Sequence, residues 1–350
     1  MSFVFSIKDN LRASVEAATG GKVTVLYDDV GNPSFMVRIP KFKLEDIDSD
    51  LGSGVHPAFI VNDQEKSEIF IGQSQAVVTN ERAYSLPGID PTVYVDYDQA
   101  VSYCKNKGSG WHLMTVHEWA AVMLWCLKNG FQPRGNTNYG RSHEVTYETG
   151  TRVDGGTPGD SSGTPRTYTG SGPASWRHDN TFAGISDLVG NIWEWMHLMK
   201  LIDGRIYVPA HNDFDLDESN WTAQNAYFDR ESASVNNPIL SSARNVSDEG
   251  QSPDYSYHSP WRTLSLESGF TAPDLLLQIC VSPKTTETGG TLTIFSEAKG
   301  TILVRNYGER FPRRGGYWSS GASAGLGALS LSCPRSSSDC HIGFRPAYIG

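Results

Sequence analysis

Apolar and polar positions follow one another unevenly along the 350 residues. Between residues 22 and 43, KVTVLYDDVGNPSFMVRIPKFK forms two short apolar runs broken from Asp29 to Pro33, a spacing that predicts two strands around a turn. SEIFIGQSQAVV predicts a third strand. The period then becomes helical. DYDQAVSYCKNKG sets Ala100, Val101, Tyr103 and Cys104 on one face and stops at Gly108. TVHEWAAVMLWCLKNG opens with Thr115 and Glu118 at capping-box spacing and closes with Lys128 and Gly130. Its stripe of Trp119, Val122, Met123 and Cys126 predicts a buried helix and makes Cys126 a core residue rather than a reactive thiol.

Further along, the periodicity weakens. Residues 150–172, GTRVDGGTPGDSSGTPRTYTGSG, predict a long surface loop. Within 200–310, GRIYVPA, DLLLQICV and GTLTIFS read as strands, and the acidic run from Asp213 to Glu218 reads as a solvated loop. Short strands scattered about two helices predict an α+β class with long loop insertions rather than a βαβ array.

Composition narrows the function classes. Hydrophobic residues make up 38% of the chain, alongside 35 Gly and 18 Pro, which fits a loop-rich globular protein. A formal charge of −10, with Arg313-Arg314 the only basic cluster, argues against nucleic acid as a partner. Cys104, Cys126, Cys280, Cys333 and Cys340 form no CxxC pair, so free thiols are expected. MSFVFSIKDNLR holds too short an apolar run for a signal peptide, and no apolar run reaches the ~20 residues of a membrane span. A soluble chain with no classical signal peptide is therefore expected.

The end of the chain, RRGGYWSSGASAGLGALSLSCPRSSSDCHIGFRPAYIG, mixes two kinds of residue. Trp318, Leu329, Leu331, Ile342 and Phe344 have the character of core. The side chains between them share no chemistry. In ALSLSC, strand alternation sends Leu329 and Leu331 inward and Ser330 and Ser332 to the opposite face, while Trp318 faces away from Tyr317 and Ser319. Asp339, Cys340 and His341 in a row on an extended chain would point to alternate sides and share no ligand sphere.

Three ordered motifs, GWHLMTVHEWAAV at 110–122, FAGISDLVGNIWEWM at 182–196 and RRGGYW…IGFRPA at 313–347, together resemble the formylglycine-generating-enzyme branch of the C-type lectin fold. The resemblance implies a lectin-like domain over 34–350, with insertions near 150–172 and 200–310. Residues 1–33 then form a short N-terminal β extension. In that enzyme family two cysteines shortly after the RGGSW-like start of the third motif bind copper. The matching positions here are Ser320 and Gly325, which supply no thiolate, so no such catalysis is expected. The triplets of a calcium-dependent sugar lectin are missing too. The resemblance further implies a structural calcium on the GNIWEW segment, held by Gly190, Ile192 and Glu194 with Asp187 nearby, the alternative being a Glu194 carboxylate bonded to backbone amides with no ion; no other cofactor is required.

The C-terminal segment also resembles the variable region of retroelement-diversified proteins such as phage-tail tropism determinants, in which chosen codons are rewritten while neighbours stay fixed. The frame here reads RGG-W--G--AG--AL-L…IGFRP over a variable region at 313–346. The interleaved positions, and the expected ligand contacts, are Tyr317, Ser319, Ser320, Ser323, Gly327, Ser330, Ser332, Cys333, Ser337, Asp339, Cys340 and His341. The resemblance implies a non-enzymatic receptor-binding protein on a virion tail, surface fibre or cell surface. Its partner would be a protein or cell-surface receptor, and relatives that trimerise through N-terminal β structure raise the expectation of a homo-oligomer. The competing expectations are a formylglycine-generating-type enzyme and a structural lectin-fold protein without diversification.

Overall fold

A computed structural model describes residues 9–350. The chain is mixed α and β, mostly sheet with few helices. Val23–Tyr27 and Pro33–Pro40 form the expected hairpin, and Glu68–Gly72, Pro346–Tyr348 and Trp111–Leu113 follow in the same antiparallel sheet. The last strand of the chain thus lies among the first ones.

A second sheet, of six strands, runs in the order Tyr257–Pro260, Thr301–Val304, Gly325–Leu331, Arg313–Gly315, Trp193–Trp195, Ile342–Gly343. The GNIWEW segment thus contributes a strand, 193–195, to the same sheet as 325–331 and 342–343, while 346–348 belongs to the first sheet. A third sheet, also six-stranded, is built by Ser265–Leu266, Val235–Ser241, Ala223–Ser232, Arg205–Tyr207, Lys200–Ile202 and Glu309–Arg310. Much of 200–310 is therefore sheet, not loop.

Four local expectations need correction. Of the segment read as a β extension, residues 1–8 lie outside the described residues, and Asn10–Thr19 is a helix, because Asp9 caps it by accepting the Arg12 N–H at 2.9 Å. SEIFIGQSQAVV holds two strands, Glu68–Gly72 and Ala76–Thr79, and the second pairs with Arg82–Ser85. DLLLQICV contains a helix at Asp274–Gln278, and GTLTIFS a 3₁₀ turn at Thr293–Phe295. Both runs bury apolar groups in any conformation, so hydrophobicity alone does not separate helix from strand there. The 150–172 loop is as expected, and it folds around Arg152, which donates to the Asp154 carboxylate and to the Thr157, Asp160 and Ser162 carbonyls.

The helix Val116–Lys128 organises the core. Thr115 Oγ1 accepts the Glu118 N–H at 3.1 Å, and Glu118 returns a bond to the Thr115 N–H at 2.9 Å, closing the capping box. The second Glu118 oxygen meets His112 Nε2 at 2.7 Å and Asn212 Nδ2 at 3.2 Å, so the carboxylate is buried but fully bonded. The helix is buried on nearly every face, not along one stripe. Its apolar side chains join one core with Ile39 and Ile69 of the first sheet, Leu329 and Leu331 of the second, and Ile206 and Leu240 of the third. Cys126 is in this core, its thiol donating to the His178 carbonyl at 3.3 Å, and all five cysteines are free. Among the described residues no helix is long and apolar enough to cross a membrane.

Trp119 links this helix to the C-terminal segment. Its Nε1 donates to the Leu326 carbonyl at 3.0 Å in the strand Gly325–Leu331. Trp119→Ala is expected to lower the unfolding free energy by ~3–5 kcal/mol, and Trp119→Phe by ~1–3 kcal/mol because the buried carbonyl loses its donor. Urea denaturation of both variants measures the two costs separately.

Candidate functional site

The C-terminal segment begins with two arginines that face opposite ways. Arg314 is fully buried and donates to the Cys280 carbonyl at 2.8 Å; burial lowers its pKa to about 10. Arg313 lies over the rings of Trp193 and Trp195, 5.6 and 5.4 Å from their centroids, and its Nη2 reaches Ser330 Oγ at 3.2 Å and Cys333 Sγ at 2.8 Å. Gly315 follows at φ +92°, where a Cβ would meet the Leu188 carbonyl at 2.5 Å, so the chain turns there only with glycine.

This arrangement corrects two of the expected contact positions. Gly325–Leu331 is buried at every residue. Ser330 is 1% exposed because Arg313, from the adjacent strand, covers the face that alternation leaves open. Gly327 is buried because its Cα lies against the Trp261 ring and the Lys299 carbonyl; a Cβ would come within 3.0 Å of that oxygen. Neither residue is exposed to solvent.

The rest of the set is at least partly exposed on the two loops that flank this strand. Tyr317 and His341, from different loops, hold their rings 4.5 Å apart, and buried Trp318 meets His341 edge-on at 6.0 Å. Ser332 Oγ lies 3.1 Å from Ser330 Oγ. The anchors of the second loop are main-chain bonds. The N–H groups of Phe311, Tyr97, Tyr94 and Trp193 donate to the carbonyls of Cys333, Arg335, Asp339 and His341 at 3.0, 3.0, 3.0 and 2.9 Å. In the first loop the Trp318 carbonyl accepts the Tyr139 N–H at 2.7 Å, and the Gly321 N–H donates to the Thr137 carbonyl at 3.0 Å. Arg335 adds side-chain bonds to Asp98 and Glu218 at 2.7 and 2.9 Å.

Asp339, Cys340 and His341 do come together, contrary to the reading from an extended chain. The Ile342 N–H donates to the Asp339 carbonyl at 3.1 Å, so the segment turns and brings one ligand atom of each side chain within 4.8 Å of the others. Burial lowers the His341 pKa. Burial and the neighbouring Asp339 raise that of Cys340. Burial raises the Asp339 carboxyl, but bonds from Cys340 and the charges of His341 and Arg313 outweigh it and hold the group below its ordinary value. At neutral pH the cluster thus holds a carboxylate, a protonated thiol and a neutral imidazole, which leaves no activated thiolate nucleophile. At the positions where the enzyme family carries its copper cysteines, Ser320 Oγ accepts the Tyr317 N–H at 2.9 Å, and Gly325 has the Lys299 carbonyl 2.3 Å from where a Cβ would stand.

The whole chain is similar to two solved structures. PvdO from Pseudomonas aeruginosa aligns over 93% of this chain and 97% of that one, with 13% identity and a TM-score of 0.36. Treponema denticola variable protein 1 aligns over 93% and 98%, with 12% identity and a TM-score of 0.34. No family model matches the sequence, and no curated protein matches it.

The residues of the implied calcium site do not fit a calcium ion. Glu194 is already matched by a cation: Arg345 Nε reaches Oε2 at 2.9 Å and Nη2 reaches Oε1 at 2.7 Å. Gln75 Nε2 donates to Glu194 Oε1 at 3.0 Å and to the Asp187 and Ile192 carbonyls at 3.1 and 3.3 Å. The Asp187 carboxylate accepts the Gly170 N–H at 2.7 Å. A guanidinium, a side-chain amide and a backbone N–H thus hold the Glu194, Ile192 and Asp187 oxygens that a hard cation would draw on. Neither Gln75 nor Arg345 was singled out from the sequence, although Arg345 sits inside the quoted IGFRPA motif.

Excess chelator is therefore expected to leave the melting temperature unchanged, since a removable ion would lower it by mass action. Arg345→Met is expected to cost ~3–5 kcal/mol, because it leaves the buried Glu194 carboxylate without its cation. Thermal melts with and without chelator, run on both proteins, check the pair of outcomes.

Proposed function

We propose that this chain is a ligand-binding protein whose C-terminal loops form a diversified contact surface on a C-type-lectin-like scaffold of the formylglycine-generating-enzyme type. The observation that carries this reading is the anchoring of residues 332–341: four carbonyls of that loop are held by main-chain N–H groups of residues outside it. Main-chain anchors do not depend on which side chains the loop carries, so the side chains can change without moving the loop. Among the described residues, no position of the expected contact set has a positive φ, so any L-residue fits the backbone there. The contact surface is the expected set without Gly327 and Ser330.

Tyr317 is the strongest candidate anchor for a partner, because it is half-exposed, aromatic and braced by His341. Binding rather than catalysis is the mode of action. The partner is a protein or cell-surface receptor, met by a protein displayed on a virion or a cell, where several weak contacts combine through avidity.

The test is a pair of libraries. Randomising the exposed positions is expected to leave most members within a few degrees of the parent melting temperature while the selected targets differ between members. Randomising Gly327 and Ser330 is expected to unfold most members, with Gly327→Ala alone costing ~1–3 kcal/mol through its contacts with Lys299 and Trp261. General unfolding in the first library would remove the contact-surface reading.

A further inference from the structure

A cavity of about 470 Å³ opens beside the second loop, between Ser332, Cys333 and Ser337 on one side and residues 253–255 and 305–310 on the other. Two cations line it, Arg305 and Arg310. Among the described residues neither forms an ion pair with a carboxylate. Arg305 is 5% exposed and donates to the carbonyls of Gln251, Ser252 and Tyr255, which satisfy N–H groups without cancelling charge. Arg310 bonds only the Glu309 carbonyl, at 3.1 Å. The Nε of each arginine is buried without a partner. Burial lowers the Arg310 pKa first, and the charge of Arg305 lowers it further, so the two guanidinium groups repel one another. The carboxylate that both sense, Asp248, is engaged by Arg230 Nε at 3.1 Å.

A cavity with two uncompensated guanidinium groups is a site for an anion, since a buried charge is costly until it is paired and a guanidinium matches a planar or tetrahedral oxyanion with parallel N–H donors. We propose that this cavity binds an oxyanion, a carboxylate or a sulfate, through Arg305 and Arg310. The Tyr255 and Tyr307 rings wall the site, and the exposed Asp254 at its rim is the one acidic side chain lining it. The arginines lie outside the variable positions, whereas Ser332, Cys333 and Ser337 on the facing wall belong to them, so the two cations stay in place when that wall is rewritten. They would give every variant of the loop one constant anchor for an acidic group.

The experiment is a melting-temperature titration of the full chain with sodium succinate, sodium sulfate and, at equal ionic strength, sodium chloride. A saturable rise is expected with one or both oxyanions, about 2 °C at tenfold the half-saturating concentration, and none with chloride. The succinate and sulfate arms tell the two oxyanions apart. Arg310→Gln should abolish the rise; the residue is half-exposed and its side chain bonds only a neighbouring carbonyl, so the fold does not rest on it. Asp254→Asn, at the exposed rim, should lower the half-saturating concentration about two- to fivefold by removing a competing charge. No saturable rise in the parent protein, or an equal rise in Arg310→Gln, overturns the proposal, and either result leaves the reading of the variable loops standing.

Discussion

The buried pair of Glu194 and Arg345 is the contact on which the rest of the site depends. Arg345 is fully buried and spends its guanidinium on the Glu194 carboxylate, the Gly72 carbonyl at 2.8 Å and the Ser186 carbonyl at 2.8 Å. Those three partners belong to the second sheet, the first sheet and the loop before GNIWEW. A buried ion pair is weak grounds for stability in itself, because desolvation offsets much of its attraction. Its value here is positional. An arginine with fixed donors allows one relative placement of three segments far apart in sequence, and displacing any of them strands a charge.

From that pair outward, the second sheet is specified from both sides. Trp119 reaches through the helix to the Leu326 carbonyl, and Arg313 covers the opposite face over Trp193 and Trp195. The strand Gly325–Leu331 is closed on both faces, and only the loops that leave its two ends meet solvent. The chain thus places its exposed, chemically mixed side chains at the ends of a strand and not along one.

What was legible in the sequence was local. The helix Val116–Lys128 announces itself because its capping box, its stop and its apolar period all lie within sixteen neighbouring residues. DLLLQICV was misread because so short an apolar run carries no period to distinguish a helical turn from a strand. The exposure of Ser330 was misjudged for another reason: alternation says which face a side chain takes, but not that Arg313 will lie over that face. Asp339, Cys340 and His341 were separated on the assumption of an extended chain, and one bond from the Ile342 N–H to the Asp339 carbonyl reverses that. The partners that hold the Glu194 carboxylate were hidden in the sequence because Gln75 lies 119 residues before it and Arg345 151 residues after it. Arg305 and Arg310 likewise meet Cys333 only through the fold, with no motif that links them.

A surface meant to carry many side chains faces a conflict between order and tolerance. A loop ordered by its own side chains loses its shape when they change, and a loop ordered by nothing pays conformational entropy each time it binds, at ~1–2 kcal/mol per residue fixed. Main-chain anchoring of residues 332–341 by Tyr94, Tyr97, Trp193 and Phe311 escapes both costs. The anchors belong to elements whose own positions are set by buried contacts. Tyr97 packs against Phe311 with ring centroids 4.0 Å apart and meets Trp195 edge-on at 6.1 Å, and Trp195 Nε1 donates to the Val95 carbonyl at 2.9 Å. The ordering entropy of the loop is therefore met during folding by residues that are not in the loop. Under the proposed binding function, changes at its exposed positions alter what the surface can bind without altering where the surface is.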